Sequence, residues 1–112
     1  MELVVLGCWA PYPRAGGACS GYLIRAGGLN ILLEAGNGSL SRLMTFIDFR
    51  YLDAVIVTHL HPDHYLDLFP LRHAVEGARR DGSRSVPLLG NQARAGFGGQ
   101  TISVREGETF RV

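Results

Sequence analysis

A run of seven residues, Thr58-His59-Leu60-His61-Pro62-Asp63-His64, constrains this chain more than any other stretch. The sequence holds four histidines, and three of them fall in this run, with an aspartate between the second and third. Ala54-Val55-Ile56-Val57 precedes the run and reads as a buried β-strand, because it is short, apolar and mostly β-branched. Tyr65-Leu66-Asp67-Leu68-Phe69 follows it and opens a helical pattern. The polar cluster therefore sits where a strand ends and a helix begins, which is where open α/β sheets bind ligands. A solvated loop has no need of imidazoles, and a core does not hold them unpaired. Metal ligation is the reading that accounts for the cluster.

The spacing supports it. His59 and His61 are two apart, so on extended backbone both rings point to one side. Two imidazoles on one side make half of a site for a borderline metal. Pro62 is suited to a first helical position, which places Asp63 and His64 on the opening turn, about 100° apart around the axis. They are expected to reach a second ion beside the first. Two ions roughly 3.5–4 Å apart share a hydroxide and clamp both oxygens of a displacement. The expected ligands are His59, His61, Asp63 and His64, and the expected metal is zinc, with manganese or iron as alternatives for a mixed imidazole and carboxylate set. Asp67 lies on the same helix face as Asp63 and His64; it reads either as a carboxylate that orients His64 or as a solvated surface acid. His73 lies nine positions after His64 and is expected to face away from the site.

His-x-His-x-Asp-His after a hydrophobic strand resembles the metal motif of the metallo-β-lactamase-fold hydrolases. Leu6-Gly7-Cys8, a Gly/Pro-rich loop and Ala18-Cys19-Ser20-Gly21-Tyr22-Leu23-Ile24 resemble the start of the ribonuclease Z-like and phosphodiesterase-like branch. Ile31-Leu32-Leu33-Glu34-Ala35-Gly36 is similar to a strand that in that branch usually ends Asp-x-Gly; here the acid is Glu34. His64 to Arg72 resembles the helix after the motif. The resemblance covers nearly the whole chain, and the chain corresponds to about the first half of the family domain. It implies an α/β fold: half of an αββα sandwich, one mixed sheet with helices on one face. Alternating strand and helix patterns point to the same layered class.

At 112 residues the chain is expected to be one domain, residues 1–112, with a single core. Apolar residues make up 46% and charged residues 19%, which are globular values. The net charge of +1 gives no broad electrostatic case for nucleic acid, although the resemblance keeps it open as a partner. All eleven cations are arginine. Met1-Glu2 and a short apolar run do not form a signal peptide, and no apolar run approaches transmembrane length. Two cysteines, Cys8 and Cys19, read as reduced thiols of a cytoplasmic protein rather than a disulfide framework.

In chain order, Glu2 to Leu6 reads as a strand, Gly7 to Gly17 as an irregular loop carrying Trp9 and Tyr12, and Tyr22–Arg25 and Leu29–Glu34 as a hairpin turned at Ala26-Gly27-Gly28. The aromatic loop reads either as a pocket wall or as ordinary packing. Ser39 is a possible N-cap for a helix with Leu40, Leu43, Met44 and Ile47 on its core face. The helix after the motif is expected to run to about Arg80 with a kink at Pro70. Val86 to Leu89, Ile102–Val104 and Thr109–Val112 read as further strands, the last two joined at Glu106-Gly107-Glu108.

By the resemblance, each of two ions takes further histidines and a bridging aspartate from later in the domain. This sequence has no histidine after His73, and its only acids after Asp81 are Glu106 and Glu108. Each ion therefore receives two ligands here, whereas a catalytic zinc usually has three and an open position. Two readings follow. In one, the chain is a metal-dependent hydrolase of small phosphodiesters whose site another chain completes; a metal-bound hydroxide attacks phosphorus, and Asp63 is the catalytic residue that orients it. In the other, the chain is a truncated, non-catalytic half-domain that binds metal or self-associates. A half-sandwich would expose one apolar sheet face, with candidates among Val4, Leu6, Leu23, Ile31, Leu33, Val55 and Val57, so a homodimer is expected to cover it.

Overall fold

A computed structural model of the chain describes residues 1–80, 88–90 and 101–103. Six strands form one mixed sheet in the order β1 (Glu2–Gly7), β2 (Gly21–Ala26), β3 (Leu29–Ala35), β4 (Ala54–Val57), β5 (Leu88–Gly90) and β6 (Thr101–Ser103). β1, β2 and β3 are antiparallel neighbours. β4, β5 and β6 add in parallel to β3. Among the described residues the α-helices are α1 (Ser39–Leu43), α2 (Pro62–Tyr65) and α3 (Leu68–Arg80), with a 3-10 turn at Phe49–Tyr51. The α/β layer expected from the sequence is the observed one.

The β2–β3 hairpin follows from two glycines. Ala26 pairs with Leu29, leaving a loop of Gly27 and Gly28 at φ 58° and 79°. A two-residue turn whose strands twist correctly needs positive φ at both positions, which glycine adopts without strain.

Alternation along the strands divides the sheet into two faces. Leu6, Leu23, Leu32, Val55 and Val57 point to one face and form the core with Leu43 of α1, Leu52, and Leu71, Val75 and Ala78 of α3. The spacing of the last three is that of a helix's apolar stripe. Leu3 and Val5, and in register with them Ile24, Tyr22, Ile31 and Leu33, point to the opposite face. The sequence placed Val4, Leu6, Leu23, Val55 and Val57 among candidates for the open face. Val4 instead packs against the core and the other four belong to it, while Ile31 and Leu33 lie on the open side.

The second helical stretch differs from expectation at its start. It breaks between α2 and α3 rather than at Pro70. The Asp67 N–H donates to the Ala35 carbonyl at 3.0 Å instead of continuing the helix. Pro70 is the third residue of α3, in the first turn, where a missing N–H breaks no intrahelical bond. Ser39 also differs: Gly38 is the N-cap of α1, and no side chain of its own caps it. β5 includes Leu88 and Leu89 of the strand read from Val86, whose first two residues lie outside the described residues, and β6 begins one residue earlier than Ile102. The expected strand at 109–112, the turn at 106–108 and the glycine-rich stretch at 91–100 lie outside the described residues. Among the described residues no helix is long and apolar enough to cross a membrane.

Candidate metal centre

β1, β3 and β4 run in the same direction, so their C-terminal ends share one rim of the sheet. The motif lies on that rim. β4 ends at Val57, and Thr58 to His61 continue as irregular backbone. His61 holds an extended conformation at φ −91°, ψ 141° and serves as N-cap of α2, with Pro62 opening the helix as its sequence predicts.

Three imidazoles gather there. The His59 and His61 rings meet edge to face with centroids 4.7 Å apart. The His64 ring comes within 4.1 Å of His59. Asp63 Oδ2 lies 3.4 Å from His64 Nε2. All four residues named from the sequence thus occupy one rim, and His64 packs against His59 rather than standing apart from it.

The sequence reading left out the residue that organises them. Glu34, at the end of β3, is 5% exposed, and both of its oxygens are engaged. Oε1 accepts the Thr58 N–H at 2.9 Å, and Oε2 lies 2.9 Å from His64 Nδ1. It ties the β3 end to the β4 end and to α2. Glu34, His59 and His64 each offer a ligand atom, and these atoms lie within 4.8 Å of one another. Glu34 also sits at φ 63°. A non-glycine residue there costs on the order of 1 kcal/mol, and such outliers concentrate at functional sites. The signal in the sequence is the Glu34-Ala35-Gly36 pattern itself, a departure from Asp-x-Gly.

Gly36 completes the arrangement. A β-carbon there would overlap the Asp63 carbonyl oxygen, and it would lie 2.8 Å from Cys19 Cβ and from the Ser20 carbonyl. The opening turn of α2 therefore rests directly on the β3 terminus. Asp67 takes neither role the sequence allowed: Oδ2 accepts the Leu40 N–H at 2.8 Å. It satisfies a helix-start donor of α1 from 27 positions away, while Glu34 is the carboxylate on His64. His73 is exposed on α3, apart from the cluster. Thr58 Oγ1 is 2.8 Å from His59 Nδ1.

Both cysteines are free thiols, Cys8 exposed and Cys19 buried. Burial pushes the Cys19 thiol up, and the nearby Asp63 and Asp67 carboxylates add to it. Cys19 is thus held protonated and packs as a small apolar residue.

A set of imidazoles and carboxylates on a strand-to-helix rim suits a divalent ion of the zinc, manganese or iron type. The model of the metallo-beta-lactamase superfamily matches residues 14–80. The probable metallo-hydrolase YhfI of Bacillus subtilis is 36% identical over 95 residues, covering 83% of this chain and 39% of YhfI. The crystal structure of YhfI, a metallo-beta-lactamase fold protein, superimposes with a TM-score of 0.87 at 28% identity, over 98% of this chain and 49% of that one. A ribonuclease Z of Mycolicibacterium gilvum is 38% identical over 69 residues, which is 61% of this chain and 24% of the enzyme. The chain spans less than half the length of each of these relatives.

Proposed function

The chain belongs to the metallo-β-lactamase superfamily, and from that premise we propose that it supplies the first half of a metal-dependent phosphodiester hydrolase whose site a second chain completes. The observation that carries the reading is the gathering of three imidazoles on the rim, the His59 ring 4.7 Å from His61 and 4.1 Å from His64, with Asp63 Oδ2 3.4 Å from His64 Nε2. Supporting the chemistry, relatives it matches are called a metallo-hydrolase and ribonuclease Z.

In this reading His59, His61, Asp63 and His64 hold the metal. Glu34 stands behind them, with Oε1 on the Thr58 N–H and Oε2 on His64 Nδ1. It keeps the His64 proton on Nδ1 and so leaves the Nε2 lone pair for the ion, the usual service of a carboxylate behind a metal-binding imidazole. Thr58 Oγ1 does the same for His59 by accepting from Nδ1. When bound, the ion makes water acidic enough to lose a proton near neutral pH and polarises a phosphoryl oxygen. Asp63, beside His64 Nε2, orients the attacking water and takes up its proton.

Two ligands per ion from this chain fall short of the three that a catalytic zinc usually has. A second copy is the proposed source. The open sheet face, with Leu3 57% and Val5 53% exposed, is apolar and suited to a two-fold partner.

One experiment tests the reading. Metal per chain and turnover of bis(p-nitrophenyl) phosphate are measured on the purified chain and on the double variant His59→Ala, His61→Ala, each with its sedimentation profile. The expected result is a dimer with stoichiometric metal and turnover, both lost in the variant. Metal retained by the variant removes the ligand assignment. A folded monomer at low micromolar concentration removes the shared site. Metal without turnover leaves a binding half-domain.

A further inference from the structure

At the free edge of the sheet, where β1 passes into the loop that follows it, an open pocket of about 200 Å³ is lined by Trp9, Arg14, Gly17, Ala18 and Arg42, among others. We propose that this pocket binds a single nucleotide, its phosphate held by Arg14 and Arg42 and its base stacked on Trp9.

Charge is the first ground. The arginines with described side chains are Arg14, Arg25, Arg42, Arg50 and Arg72. Arg25 pairs with Glu2, Arg50 with Asp48 and Arg72 with Glu76. Arg14 and Arg42 have no carboxylate partner among the described residues, and both line this pocket, which no acid lines. Two uncompensated arginines lining one pocket from different elements, one from the loop and one from α1, suit a phosphate, which accepts several hydrogen bonds at once.

The second ground is the ring. Trp9 is 44% exposed, and the Arg14 guanidinium lies over it at 5.6 Å. Its place is built rather than incidental. The Trp9 backbone N–H donates to the Ala18 carbonyl at 3.1 Å, and a β-carbon on residue 17 would stand 2.8 Å from Arg14 Cγ and 3.2 Å from Trp9 Cδ1. Gly17 thus lets the backbone lie flat against both side chains. An aromatic platform beside cations is the means by which proteins hold an unpaired base and its phosphate. At about 200 Å³ the pocket is smaller than the usual small-molecule site, so a bound nucleotide would reach beyond it into solvent.

The third ground is position. Ala18 to Ser20 separate the pocket from the rim: the Cys19 N–H donates to the Asn37 carbonyl, and Cys19 Cβ faces Gly36, against which Asp63 rests. A nucleotide in the pocket would thus lie one segment away from the proposed metal ligands, as the nucleotide portion of the phosphodiester in the hydrolase reading, on which that role rests.

Trp9 is the sole tryptophan of the chain, so its emission reports this pocket alone. The full chain, kept in EDTA so that metal plays no part, is titrated with 5′-AMP, with inorganic phosphate and with adenosine. The expected result is a saturable change in Trp9 emission with AMP, at least tenfold weaker binding of phosphate and of adenosine alone, and a loss of roughly tenfold or more in AMP affinity in each of Arg14→Gln and Arg42→Gln. Circular dichroism of the two exposed-site variants should match the parent. No saturable response to AMP overturns the proposal, and so does phosphate binding as tightly as AMP, or AMP affinity that survives both substitutions. Failure here leaves the metal and turnover results standing, and their failure leaves nucleotide binding standing.

Discussion

The two faces of the sheet are built from the same residue types and end in opposite conditions. On the helix face, Leu23, Leu32 and Val55 are fully buried beneath α1 and α3. On the other, the edge-strand residues Leu3 and Val5 are more than half exposed, although Ile31, further in, is buried. Apolar character does not separate them, since leucine and valine line one face and leucine, valine, isoleucine and Tyr22 the other. What separates them is which face the chain's own helices cover. A strand pattern specifies that two faces exist, and the connections between strands decide which of them is closed locally. Here both described crossovers, through α1 and through α2 and α3, contribute to one side, and the apolar opposite side is the surface a partner would need.

That contrast is open to attack by substitution. Leu32→Ala should lower the free energy of unfolding by about 2–5 kcal/mol, and the loss should be the same at every protein concentration. Val5→Ala should cost under about 0.5 kcal/mol at concentrations where the chain is monomeric and more where it is assembled, because a partner's contribution follows mass action. Urea unfolding over a hundredfold range of protein concentration reads both. Equal, concentration-independent losses would abolish the distinction between the faces.

A smaller effect is expected at the rim where the faces meet. Glu34→Gln keeps an acceptor for the Thr58 N–H and removes the charge behind His64. Metal affinity should fall by about 10- to 100-fold, with little change in the urea midpoint of the metal-free chain. A midpoint that collapses while affinity per folded chain stays constant would make Glu34 a structural staple only.

The motif was readable because its chemistry is local: three imidazoles and a carboxylate in one short run, bounded by a strand and a proline. The hairpin was readable for the same reason, from Gly27-Gly28. Glu34 was not, because its role is defined by partners 24 and 30 positions away, which no periodicity encodes. Asp67 failed similarly. Its spacing from His64 was sound, but the Leu40 N–H reached it from another element. The break before α3 was assigned to Pro70, the expected kind of helix breaker, when the carbonyl of Ala35 drew the Asp67 N–H out of the helix instead. In each case a long-range hydrogen bond took precedence over a local signal.

The Glu34–His64 contact has a further consequence, for the order in which the molecule forms. The β2–β3 hairpin closes a two-residue turn, and such structures form in about 1–10 μs. Glu34 and His64 meet only after the crossover from β3 through β4 has closed, which carries the greater loop entropy. The candidate metal cluster is therefore expected to assemble after the hairpin, and an ion that needs the complete cluster is expected to bind late. Added zinc should then slow unfolding while leaving the refolding rate unchanged; refolding that accelerates with zinc in stopped-flow would show instead that the ion gathers the histidines early.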